Sequence, residues 1–178
     1  QRFFRILQRR YKHNRSVALL SCAVGSEVGE SELLICDEAP SISTMSGKWT
    51  RESRFARTRR WATKQPVQVT TLDMLIEEYG PPAFCKIDVE GFEESVLRGL
   101  TRPIRALSFE LNCELMADAE RCIEYLCDLG PAEFNYSAGE SMRLLSSSWL
   151  APADFCDFLR ALDKSLLYGD IYVRFPLA

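Results

Sequence analysis

The chain predicts an α/β fold on a largely parallel sheet, and three observations carry that prediction. Residues 84–88 read as a short strand, and Pro81 and Pro82 stop anything helical from running into it. A corner at Glu90 and Gly91 follows, then a helical pattern over 93–100 with Val96, Leu97 and Leu100 on its inner face. Residues 17–24 form a continuous apolar run, the pattern of a strand buried on both faces. In open α/β sheets ligands sit outside the carboxyl ends of the strands, which puts Asp88 and Glu90 where a site is expected. A second strand over 106–111 delivers Glu110 near its end. Three carboxylates are therefore expected at one rim.

The remaining elements follow in order. Phe3, Phe4, Ile6, Leu7 and Tyr11 recur at helical spacing with Arg5, Arg9, Arg10 and Lys12 opposite, so 3–12 is a helix. His13, the only histidine, closes it, where a cation suits the helix dipole. With one histidine and no G-x-S-x-G elbow, a Ser-His-Asp device has little to build on. A turn at 25–29 leads to a strand over 32–36. Residues 38–64 are irregular, carrying Arg51, Arg54, Arg57, Arg59, Arg60 and Lys64 among Trp49, Phe55 and Trp61. Such a loop either clamps a phosphorylated ligand or is a solvated insertion, and both readings stay open.

Residues 67–70 are a strand, and Thr70 with Asp73 gives a capping-box-like start to a helix through Tyr79. After the 106–111 strand, a helix over 114–129 turns Leu115, Ala119, Cys122, Ile123 and Leu126 inward and stops at Gly130 and Pro131. A strand over 132–136, a turn over 137–140 and a returning segment over 142–145 come next. A helix over 152–167 and a strand over 171–175 close the chain.

Composition narrows the classes. A length of 178 residues suits a single domain, and a net charge of −3 gives no global pull toward nucleic acid or anionic membrane. No apolar run approaches the ~20 residues of a membrane span, so the expectation is a cytoplasmic chain without a membrane partner. Seven cysteines with no C-x-x-C pair read as small buried hydrophobes in a reducing compartment.

Alternation along 84–89 puts Phe84, Lys86 and Asp88 on one face, which makes Lys86 a buried lysine paired with Asp88. The carboxylates Asp88, Glu90 and Glu110 have three uses: binding a cationic group, acting as general base, or holding a divalent cation together with Asn112.

Several stretches carry a family likeness: Thr70-Thr71-Leu72-Asp73, then Cys85-Lys86-Ile87-Asp88-Val89-Glu90-Gly91-Phe92-Glu93, then Val96-Leu97-Arg98-Gly99. They resemble the TLD…KIDVEGxE…vLkG pattern of FkbM-family methyltransferases, and the likeness runs on through Phe109-Glu110 and Gly169-Asp170-Ile171-Tyr172. The resemblance implies a methyltransferase dependent on S-adenosylmethionine (SAM), acting on a hydroxyl of a small molecule or saccharide. It implies one domain on a Rossmann-like class I sheet, mostly parallel with an antiparallel C-terminal strand, in the order 3-2-1-4-5-7-6. Residues 17–24 would be strand 3, 84–88 strand 4, 106–111 strand 5 and 171–175 strand 7. Ala23 and Val24 become adenine contacts, Asp88 a further cofactor contact, and Asp88, Glu90 and Glu110 the catalytic set. Ser43, Arg57, Arg59, Arg60 and Asn112 become candidates for the acceptor.

The chain has no G-x-G and no acidic residue at the end of a second strand to hold ribose hydroxyls. The expectation is that the first two strands and the glycine-rich turn lie upstream of Gln1, so that this chain alone binds SAM poorly or not at all and is inactive by itself. Two other classes compete. One is a non-catalytic Rossmann-like module binding a phosphorylated partner through 51–64. The other is a metal-dependent hydrolase, which would want histidines and close-set aspartates that are missing here.

Overall fold

The computed structural model describes residues 2–176. In chain order the elements are α1 (Arg2–Tyr11), β1 (Ala23–Val24), β2 (Gly29–Ile35), α2 (Trp49–Glu52), β3 (Thr63–Thr70), α3 (Leu72–Tyr79) and β4 (Cys85–Ile87). Then come α4 (Glu93–Arg98), β5 (Ala106–Asn112), α5 (Met116–Leu129), β6 (Glu133–Ala138), α6 (Pro152–Ala161) and β7 (Tyr168–Arg174). No helix among the described residues is long and apolar enough to cross a membrane.

The strands form two sheets, ordered β1-β3-β2 and β4-β5-β7-β6. The second sheet carries the core. Its buried face presents Ile87, Leu107, Phe109, Leu111, Ile171, Val173, Phe134 and Tyr136 to α4, α5 and α6. Alternation in β5 explains this, because Leu107, Phe109 and Leu111 all point one way. The opposite face receives Ser108, Glu110 and Asn112, so the sheet has one oily and one polar side.

The expectation of a mostly parallel sheet is corrected. Only β4 with β5 and β1 with β3 run parallel; β2 with β3, β5 with β7 and β6 with β7 are antiparallel. The antiparallel C-terminal strand is present, and it lies inside the sheet between β5 and β6.

Residues 17–24 are not one buried strand. Only Ala23 and Val24 pair, opposite Val69 and Thr70, and Leu20 is 44% exposed. An apolar run reports the want of burial and not a pairing partner. Here Ala18 and Leu20 instead line an apolar groove of about 280 Å³ with Leu75, Tyr79 and Phe84, beside the outer edge of β4. Among the described residues that edge has no strand partner.

Smaller differences have local causes. The cap of α3 is Thr71, whose hydroxyl accepts from the Met74 amide at 3.2 Å. Asp73 accepts from the Thr101 amide at 3.1 Å and from its hydroxyl at 2.6 Å, tying α3 to the segment after α4. The helix expected over 152–167 stops at Ala161. Residues 142–145 form no strand; the Leu145 amide donates once to the Tyr136 carbonyl.

Candidate functional site

The site lies where β4 ends and the chain turns into α4. Glu90 sits at φ +54° and Gly91 at φ +82°, two successive left-handed residues that throw the chain sharply off the sheet. A side chain at 91 would meet Leu115 at 2.9 Å and the Trp49 Cβ at 3.0 Å, so glycine is required for space as well as conformation. Gly91→Ala is expected to cost about 2–4 kcal/mol of stability, read from the urea unfolding midpoint.

The strand-end carboxyls meet as expected. One oxygen each from Asp88, Glu90 and Glu110 lies within 4.8 Å of the others, a spacing that ligands of a divalent cation take. Cross-strand register then adds a fourth acid, because Asp170 of β7 stands directly opposite Glu110. Lys86 reaches Asp170 at 2.5 Å and Asp88 at 3.5 Å. Its side chain is 40% exposed, which corrects the expected buried lysine: with no strand outside β4 among the described residues, its ammonium keeps water on one side.

Arg54 supplies the other cation. It leaves the loop after α2, stacks its guanidinium over the Tyr168 ring at 4.2 Å, and donates to the Asn112 side-chain Oδ1 at 3.0 Å. The segment before α2 is tied to the corner by Thr44, whose hydroxyl donates to the Glu90 backbone carbonyl at 2.8 Å. Four carboxyls thus face two cations.

That imbalance shows in the titration of the acids. Burial, then the charges of Glu110 and Asp88, push Glu90 from an ordinary 4.5 up to about 8. Burial and Asp88 also raise Glu110. The Glu110 Oε2 and the Ser108 hydroxyl are both buried without a hydrogen-bond partner among the described residues. Arg54 acts in the opposite sense on both acids. Arg54→Met, which keeps the stem, is therefore expected to lift Glu90 and Glu110 further, measured by carboxyl carbon NMR titration. Unmoved titration curves would mean that the guanidinium is screened.

The other expected site residues scatter. Asn112 is at the rim, held by Arg54. Ala23 and Val24 sit in the three-stranded sheet, and Gly25, the next residue, lies beside Phe92 and Ser95 of the α4 turn. The Ser43 hydroxyl accepts from the Cys36 amide at 3.2 Å and closes its own loop. Arg59 pairs with Glu38 at 3.4 Å; Arg57 and Arg60 are exposed and make no hydrogen bond or ion pair with described residues. Arg54, Tyr168, Asp170 and Glu93 were missed. The legible signal for Glu93 was an acid two residues after a turn glycine.

A family model described as "Methyltransferase FkbM domain" matches residues 2–136. No curated protein and no solved structure matches the chain.

Proposed function

The chain belongs to the FkbM methyltransferase domain family, and from that premise we propose that it transfers a methyl group from SAM to a hydroxyl of a small molecule or saccharide, on a Rossmann-like sheet. The observation that carries this reading is the rim itself: four carboxyls against two cations, with a buried Glu110 Oε2 that has no hydrogen-bond partner among the described residues. A buried acceptor without a donor is costly unless a ligand supplies one, and a cationic ligand fits best.

SAM fits that requirement through its ammonium and sulfonium, and when bound it supplies the electrophilic methyl group. Asp88 and Glu110 are the residues that would hold its positive charge. Glu90 takes the proton from the acceptor hydroxyl, since a base with a pKa of about 8 is matched to work near neutrality. Asn112 and Tyr168, placed by Arg54, orient the acceptor. Because the rim is acidic, neutral or cationic acceptors suit it better than phosphorylated ones. The reading of 51–64 as a phosphate clamp loses support, since among its cations Arg54 is the one engaged at the rim.

Calorimetric titration of the full-length protein with SAM, followed by transfer of labelled methyl to a panel of neutral, amino and phosphorylated polyols, tests the proposal. Uptake of SAM and labelling of neutral or amino acceptors is the expected result. Binding of phosphate without SAM would overturn it. Repeating the titration with added magnesium tells whether the three carboxylates also take a cation.

A further inference from the structure

Glu93 stands outside the carboxylate trio, yet it is the most enclosed acid near the rim, at 8% exposure. Its Oε1 accepts from the Gly91 amide at 3.2 Å and from the Val89 amide at 3.4 Å. Those two amides flank Glu90, the residue held at φ +54°. A left-handed conformation is unfavourable for glutamate and persists only where its surroundings fix it. From the other side the Thr44 hydroxyl grips the Glu90 carbonyl. A first-turn acid of a helix ordinarily faces solvent or its own helix end. Glu93 instead reaches back across the turn, over a cavity of about 20 Å³ that it shares with Glu110 and Asn112 of β5 and with Asp118 and Cys122 of α5.

We propose that Glu93 is the positioning residue of the site: by accepting from amides on both sides of Glu90 it holds that residue left-handed and so aims the Asp88 and Glu90 carboxyls at Glu110. This role rests on the methyltransferase reading of the rim for its purpose, but not for its geometry. Glu93 touches no reacting atom. It fixes the backbone on which the reacting carboxyls stand.

Amide exchange by NMR on the full chain, together with a double-mutant cycle, tests it. In Glu93→Leu the Val89 and Gly91 amides are expected to exchange about tenfold faster, while Leu107 and Phe109 in β5 keep their protection. Glu93→Gln retains the carbonyl acceptor and should hold both amides within about threefold of wild type. The cycle separates positioning from core filling. Glu93→Leu should raise the unfolded-to-folded ratio about tenfold beside Glu90, but by less than about threefold beside Glu90→Gly, since glycine holds φ +54° unaided. Unchanged amide exchange, or equal losses in both backgrounds, would overturn the proposal. If Glu93→Leu does not fold, Glu93→Asp decides the same comparisons, because it withdraws the acceptor by one methylene. SAM affinity is the separate readout of purpose, expected to fall about tenfold in Glu93→Leu. A full-length protein that takes up no SAM would sink the methyltransferase reading of the rim and leave the backbone role to the exchange data.

Discussion

Asparagine at Asp88, or glutamine at Glu90, is expected to lower methyl transfer by about 10²–10⁴-fold while leaving the chain folded. The one ionic tie lost is the 3.5 Å pair between Lys86 and Asp88. Lys86 keeps its contact with Asp170 at 2.5 Å when Asp88 is neutralised, and the backbone carbonyl of Glu90 keeps the Thr44 hydroxyl. The two variants should fail differently. Glu90→Gln removes the proton acceptor, so turnover falls with little loss of cofactor affinity. Asp88→Asn removes a charge facing the bound cation, so turnover and SAM affinity fall together. Initial rates against SAM concentration, with the thermal midpoint as control, separate these outcomes. Wild-type turnover in either variant would remove that residue from the catalytic set.

Much of this rim was legible because it is local. Alternation along 84–88 and 106–111, with the rule that ligands gather at strand ends, is enough to bring Asp88, Glu90 and Glu110 together. What was not legible came from long-range pairing. Asp170 joins the site only because β7 inserts antiparallel beside β5, in a register that sets it opposite Glu110. Arg54 is one of seven cations over 38–64, and nothing in their spacing singles it out. Its selection depends on α2 docking under the corner, where Trp49 is fully buried against Gly91. Arg57, Arg59 and Arg60, the more crowded cations in the sequence, remain on the surface.

The sheet itself was partly readable for the same reason. The 106–111 strand, buried on its oily face and flanked by helices, was plain from its apolar residues, and β5 extends it by one residue. Residues 17–24 misled because hydrophobicity is shared by strands and by extended segments lining a groove. The groove beside β4 consumes those apolar side chains without a hydrogen-bonded ladder. Glu93 shows the opposite failure. Its type and position fit an ordinary helix start, and only its reach back to the Val89 and Gly91 amides marks it out.

Stability is expected to fall, not rise, as pH increases from about 4.5 to about 8. In the folded chain Glu90 is pushed up to about 8 and Glu93 to about 7, burial being the first cause for both, against an ordinary 4.5. Below pH 4.5 both acids are protonated in the folded and unfolded chains, so they contribute no difference. Between the two values the folded chain holds protons that the unfolded chain has released, and each step up in pH favours unfolding. Above about 8 the penalty is complete. For Glu90 alone it would be about 5 kcal/mol at full strength, and screening by water at this half-buried group reduces it to about 2 kcal/mol. Glu110, also raised, acts in the same direction. Glu94 opposes them: despite the upward push of its burial, Arg121 and Arg98 hold it below its ordinary value, so its contribution is lost as pH falls toward 4 and below. The thermal midpoint should therefore peak near pH 5 and decline toward pH 8. Glu90→Gln should flatten that decline and raise the midpoint at pH 8, so a variant that loses turnover is also the more stable one. A midpoint that climbs steadily from pH 5 to pH 8 would show that these acids are hydrated and free of the crowding the rim imposes.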